Sequence, residues 1–476
     1  MTALWSAADA FAATGGKTSG EWSASGISID TRSLERGDLF IALKDARDGH
    51  DFVSAALARG AAAAMVSRVP EGLAPDAPLL IVNDVQTALE ALATAARARS
   101  GAKVIAITGS VGKTSTKDML AHVLARQGAT HAAAMSLNNH WGVPLTLARM
   151  PEKTEFAVIE VGMNHPGEIS PLAKLARPNV ALITTVAEAH MAAFHSVHEI
   201  AKAKAELLDG LEAVGRAILN HDNEYFDFLA TQARAAGAQI TSFGADAQAD
   251  YRLKSYRVHG VGTIVEAEIG GELTAFKIGA PGRHLAMNAL AVLGAVAAVG
   301  ADIAIAGLDL ADWQPPAGRG ARHWIALDPV EANLRLELID EAYNANPVSM
   351  EAALEGLAAT SPVDGIGRVN HGRRLAFLTD MLELGADEAE KHRSLAVLPS
   401  IEKLDLVHTA GVLMKQLHLA LPPEKRGEWH DSAKKLAERA HHLLDAGDVV
   451  MVKGSKGSRA SLVVDAIKKL GRANQQ

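Results

Sequence analysis

Short apolar runs alternate with longer amphipathic stretches along almost the whole chain. Val104, Ile105 and Ile107 make a run of strand length. Gly109 and Gly112 break it, and Met119, Leu120, Val123 and Leu124 then recur at helical spacing. This predicts strand, glycine loop and helix over 103–124. Buried-type strands are expected again at Phe156 to Ile159, at the start of 179–190 and at 217–220. Residues 251–278 alternate with period two around Gly270-Gly271, which predicts a small antiparallel excursion. A long buried helix is expected over 281–300.

Upstream, 27–43 holds two strand-like runs joined by a polar turn, 49–67 a helix running into a strand, 77–84 a further strand, and 85–100 an amphipathic helix. Downstream, the proline- and glycine-rich stretch 311–324 reads as a linker. Beyond it, 336–357 reads as strand, polar loop and helix, and 373–392 repeats strand then polar loop. The runs at 403–411 and 448–460 and a final helix complete a β/α alternation.

The expected fold is α/β in three domains, 1–98, 99–313 and 314–476. The central one is a P-loop mononucleotide-binding parallel sheet and the C-terminal one a Rossmann-like sheet. A length of 476 residues is too much for one ordinary core. No G-x-G-x-x-G occurs, so no dinucleotide is inferred.

Composition narrows the function. A net charge of -8 argues against a nucleic-acid partner or an anionic membrane surface. Cys is absent, which removes disulfides, thiolate nucleophiles and Cys-ligated zinc, and fits a reducing cytoplasm. The longest apolar run, 289–301, is too short and glycine-broken for stable membrane insertion. The first residues lack a basic start and carry Asp9 in their apolar part, a poor signal peptide.

The sharpest candidate chemistry is the loop Gly109, Ser110, Val111, Gly112, Lys113, Thr114, Ser115. Glycines let backbone N–H groups turn inward, and the helix N-terminus adds partial positive charge. Lys113 would reach the β- and γ-phosphates of a nucleotide and the Thr114 hydroxyl would bind Mg2+. The alternative is a glycine turn with a surface lysine. Glu160 ends a buried-type strand and is placed to hold Mg2+. Glu188 and His190 follow the next strand, where ligands of open α/β sheets collect. Lys202, Lys204 and Glu206 share a helix, and spacing alone makes them a solvated face. Asp30, Thr31 and Arg32 form either a capped turn or a ligand loop. Polar residues gather at third-domain strand ends: Tyr343, Asn344 and Asn346; Asp380 and Glu383; Lys453, Ser455 and Lys456. Arg319 sits between glycines, as a reaching arm or a plain hinge.

In order and approximate spacing, TGSVGKTST, NNHWGVPLTL, EVGMNHPGEI, AEAH, AKAE, GRHLAMNALA, the GR linker and DEAYNANPVSM resemble the Mur ligases, from about residue 27 to 460. That family makes ATP-dependent amide bonds in bacterial cell-wall precursor synthesis. YNANP at 343–347, DMLELG at 380–385 and VKGSKGS at 452–458 look most like the branch that joins D-alanyl-D-alanine to UDP-N-acetylmuramoyl-tripeptide. The DNPR motif of the diaminopimelate-adding branch is absent.

The resemblance implies a first domain for the UDP-sugar, a second for ATP and a third for the incoming dipeptide. The implied chemistry is an acyl phosphate attacked by an amine, and the implied protein is a cytoplasmic monomer. Asp30, Thr31 and Arg32 would lie in the UDP loop, and Asn138 and Asn139 in the substrate and phosphate loop. Glu160 and His190 look like ligands of Mg2+, with two ions implied. Lys204 matches a lysine whose carbamate holds the second, and AKAE favours it over Lys202. Asn288 matches an adenine contact, Arg319 a phosphate contact, and Asn344 and Asn346 dipeptide contacts.

The chain departs from the family pattern in places. Ser110-Val111 replaces Thr-Asn, Thr185 an asparagine, Ala187-Glu188 a Gly-Pro, and Leu285 an asparagine. A nucleotide switch that ligates nothing is the rival class. It would need no third domain with polar strand ends.

Overall fold

The computed structural model describes residues 3–189, 191–328, 330, 331 and 333–472. Three large sheets follow one another along the chain. The first has five strands, and Gly26–Ser28, Asp38–Ile41, Ala63–Val66 and Leu79–Ile81 run parallel within it. The two runs expected within 27–43 are therefore parallel neighbours, not a hairpin, and residues 29–37 cross over between them. The helix Val85–Arg99 leads into the second sheet. Its N-terminus is capped by Asp84, which accepts from Thr87 N.

The second sheet has nine strands. Lys103–Thr108 lies between Val180–Ile183 and Phe156–Glu160, all parallel and buried but for Lys103 and Phe156 at their starts. The chain thus leaves the carboxyl end of its first strand between two neighbours reached by opposite crossovers, the crevice where open α/β sheets bind ligands. The antiparallel excursion occurs as expected. Its strands Tyr251–His259, Gly262–Ile269 and Glu272–Ile278 extend the same sheet, joined in parallel through Gln239–Gly244. The helix Arg283–Ala298 packs its Leu290, Val292, Leu293 and Val296 into the core shared with Met119, Leu120 and Val123.

The third sheet has six strands. Its edge strand Ala321–Ala326 lies antiparallel to Arg335–Glu341 and is built from the end of the stretch expected to be linker. The linker proper is the turn-rich segment before it. There Gly318 adopts φ +78°, and a β-carbon would sit 3.0 Å from that of Tyr343.

His408 lies in the third core, stacked on Phe377 at 4.7 Å, with its Nδ1 accepting from Glu428 N at 3.0 Å. Its Nε2 has no partner among the described residues. Burial holds its pKa down to about 4. An unfolded chain takes up this proton near pH 6.5 and the folded chain only near 4, so stability should fall as pH drops through that window. The effect is on the order of 3 kcal/mol at most. Thermal melts from pH 7 to 4 should show a shallower decline for His408→Gln than for the parent. Equal slopes would assign the decline to other groups.

Candidate active site

The phosphate-type loop is shaped by two left-handed glycines. Gly109 has φ +153°, and a β-carbon there would collide with the Thr184 hydroxyl. Gly112 has φ +87° and caps the helix Lys113–Ala125, and a β-carbon there would meet the Asn288 amide at 3.0 Å. A side chain at either position would also strain the backbone. Ser110 Oγ donates to Ala187 O at 2.7 Å and accepts from Ala187 N at 3.0 Å. Thr184 Oγ1 donates to Val111 O at 2.6 Å. The serine that departs from the family pattern thus stitches the loop to segment 184–188. Asn223 steadies that segment by donating to Thr185 Oγ1 and Val186 O.

Glu160, 2% exposed, is the hub of the site. Its carboxylate accepts from Thr114 Oγ1 at 2.9 Å, Ser136 Oγ at 2.8 Å and Asn138 Nδ2 at 2.7 Å. A hydroxyl beside a buried carboxylate at a helix N-terminus is a donor set that suits Mg2+, which prefers hard oxygen ligands. Lys113 Nζ donates to Gly109 O at 2.6 Å. The cleft walls strip water from Lys113 and lower its pKa, which the Glu160 carboxylate opposes and Arg319 reinforces.

Lys204 is 2% exposed, and among the described residues no carboxylate pairs with it. Burial, with Lys113 nearby, drives its pKa well below the ordinary lysine value. Both causes disfavour the ammonium form relative to the neutral amine. Lys202 is exposed. The structure separates the two lysines that spacing could not.

A cavity of about 340 Å3 opens between the second and third sheets. On one wall stand the loop 110–115, Asn138, Asn139, Glu160 and Asn288, and on the other Glu341, Tyr343, Asn344, Asn346 and Lys453. Arg319 spans them, its guanidinium 4.1 Å over the Tyr343 ring. Lys453 pairs with Glu341 at 3.1 Å and donates to Asn344 O at 3.2 Å, fixing the far wall.

Two expected contact residues carry local duties as well. Asn139 Oδ1 accepts from Gly142 N at 2.9 Å. Asn346 Oδ1 accepts from Ser349 N in a capping box on the helix Pro347–Ala358. Asp30 and Arg32 pair with each other in a turn of the first domain and do not line this cavity. His190 falls outside the described residues.

Sequence reasoning passed over three contributors. Lys117 is buried and donates to Ala133 O at 2.7 Å, so it anchors the segment that presents Ser136 and Asn138. His284 lines the cleft, and desolvation lowers its pKa. Glu206, read as part of a solvated face, accepts from Gly167 N at 2.8 Å and from Ile169 N and Ser170 N at 3.1 Å. It caps the helix Ile169–Ala176 and holds the turn that places Asn164 and Glu168 on the cleft wall. Only its place in AKAE could have signalled this. Glu206→Ala should cost about 1–2 kcal/mol, read as a melting point lower by several degrees. An unchanged melting point would contradict the capping role.

Comparison with known proteins adds an independent line. Residues 23–97 match the family model described as Mur ligase family, catalytic domain. Residues 107–296 match the Mur ligase middle domain, and 329–456 the Mur ligase, glutamate ligase domain. A UDP-N-acetylmuramoyl-tripeptide--D-alanyl-D-alanine ligase of Rickettsia prowazekii is 33% identical, aligned over 97% of this chain and 99% of the relative. Its namesake from Escherichia coli is 36% identical over 94% of each. Crystal structure I of MurF from Acinetobacter baumannii superposes with a TM-score of 0.80 and 28% identity, covering 98% of this chain and 99% of that one. The MurF ligase of Thermotoga maritima in complex with ADP shares the fold, with a TM-score of 0.74 and 24% identity over 94% of this chain and 98% of that one. A phosphate-type loop facing a polar third sheet, three family models in chain order and near-full-length relatives above 30% identity converge on one placement: the chain belongs to the Mur ligase family.

Proposed function

We propose that this protein is an ATP-dependent ligase that joins D-alanyl-D-alanine to UDP-N-acetylmuramoyl-tripeptide, giving the pentapeptide precursor of peptidoglycan. The observation that carries the reading is the cleft itself. A phosphate-type loop and a buried carboxylate face the polar strand ends of a third domain across about 340 Å3. Near-full-length relatives at 33% and 36% identity bear the name of this reaction.

The division of labour follows the three domains. Residues 1–98, through Asp30, Thr31 and Arg32, hold the UDP-sugar. Residues 99–313 hold ATP, with its phosphates on 109–115 and its adenine near Asn288. Residues 314–476 hold the dipeptide, through Asn344 and Asn346. Asn138 and Asn139 flank the reacting carboxylate.

That carboxylate and the γ-phosphate are both anions and must approach. Lys113 and Arg319 offset the repulsion from opposite sides. Thr114 and Glu160 would hold one Mg2+, and His190 with carbamylated Lys204 a second. Bound there, the ions would supply charge neutralisation and in-line orientation.

A carboxylate oxygen attacks the γ-phosphorus and ADP leaves. The dipeptide amine then attacks the acyl carbon of the acyl phosphate, loses a proton to solvent, and phosphate departs with that oxygen. Closure of the third domain excludes the water that would hydrolyse the intermediate. Among the described residues no helix is long and apolar enough to cross a membrane. We take the working form to be a cytoplasmic monomer.

Tripeptide labelled with heavy oxygen in its terminal carboxylate tests this chemistry. Each turnover should deliver one labelled oxygen to inorganic phosphate. Unlabelled phosphate would rule out the acyl phosphate.

A further inference from the structure

Glu188 replaces the proline of the family pattern, and the structure gives it a partner in another domain. Its Oε2 lies 2.7 Å from Lys391 Nζ, on the third-domain helix Glu388–Ser394. Lys391 Nζ also donates to Leu384 O at 3.2 Å. Its neighbour His392, fully buried, accepts from Met381 N at 3.0 Å. Helix and loop 381–384 therefore move as one piece. A second contact lies alongside: Gly385, at φ +79°, packs so closely that a β-carbon would come within 3.3 Å of Met191 O. On the other side, Ala187 is held to Ser110 of the phosphate loop by a hydrogen bond in each direction. One continuous set of contacts thus runs from a third-domain loop through Lys391 and Glu188 to the phosphate loop.

We propose that Glu188 and Lys391 form a latch that favours the closed arrangement of the second and third domains and links dipeptide-domain docking to the phosphate loop. Both are positioning residues, acting through segment 184–188 and loop 381–384. The pair exists only when the domains touch, so it contributes to the closed state alone and shifts the population towards it. Glu188 is 43% exposed and Lys391 17%, so salt should weaken the latch. The kinetic consequence rests on the ligase reading, whereas the conformational one does not.

The chain has no Cys, so two introduced thiols can be labelled cleanly. Leu308→Cys in the second domain and Val397→Cys in the third are both well exposed. Spin-label distances between them should lengthen in E188K and in K391E, and return to the parent distribution in E188K/K391E. They should also lengthen in the parent at high salt. In turnover with ATP, Mg2+, tripeptide and D-alanyl-D-alanine, each single reversal should raise KM for the dipeptide about five- to tenfold, and the double swap should restore it. Unchanged distances in the single variants, or a double swap that does not restore them, would overturn the latch. A parent protein that shows the distance changes yet does not turn over these substrates would sink the ligase reading and leave the latch standing.

Discussion

Lys113→Ala is expected to abolish ligation while leaving the fold intact. The Lys113 ammonium stands at the mouth of the glycine loop and bonds Gly109 O at 2.6 Å, ready to exchange that carbonyl for phosphate oxygens. Glu160 and Arg319 act on it from either side of the cleft, which places it where nucleotide charge would build up. Charge stabilisation in a water-poor site is strongest in the transition state, so the loss should fall mainly on kcat. A decrease of roughly a thousandfold or more is expected, equivalent to about 4 kcal/mol of barrier. Stability should change little, because Thr184 and Ala187 also hold the backbone of 109–112 and remain when the lysine bond to Gly109 O is lost. Phosphate release assayed beside a thermal melt separates the two effects. Near-normal turnover in a folded variant would refute the phosphate-loop assignment.

Lys204→Ala should be nearly as damaging, and part of the loss should be reversible by chemistry. Lys204 is buried with no carboxylate partner among the described residues, which makes its ammonium costly, and burial beside Lys113 favours the neutral amine. Reaction with carbon dioxide would turn that amine into an anionic oxygen ligand, the kind Mg2+ prefers. Truncation leaves space for a small anion. Activity should therefore fall on the order of a hundredfold and recover in part when a short carboxylate such as acetate is added. Lys202→Ala, at an exposed position, is the control and should behave like the parent. Full activity in Lys204→Ala without added carboxylate would return the lysine to a structural role.

Much of this could be read from the chain because its local signals agree with its tertiary ones. The run at 104–107, the paired glycines and the spacing of Met119, Leu120, Val123 and Leu124 specify strand, loop and helix with no outside help, and the structure has all three. The place of Glu160 at the cleft was legible because it ends a buried-type strand beside the phosphate-type loop. Long-range duties were not legible. Lys117 and Glu206 resemble solvated helical charges until a distant carbonyl or helix terminus comes within reach. The strand Ala321–Ala326 was hidden in a linker-like composition, because its pairing with Arg335–Glu341 is set by tertiary contact. Glu188 stood out only as a departure from a pattern. Its meaning depends on Lys391, more than two hundred residues away in sequence and 2.7 Å away in space.

The most direct test of the account is phosphate release from ATP and Mg2+ with UDP-N-acetylmuramoyl-tripeptide, measured with and without D-alanyl-D-alanine. The account predicts release that requires both substrates, with a product heavier than the tripeptide by one dipeptide less water. Steady release with neither substrate would contradict it and favour a nucleotide switch. Release only with a different amino component would keep the Mur ligase assignment and contradict the dipeptide.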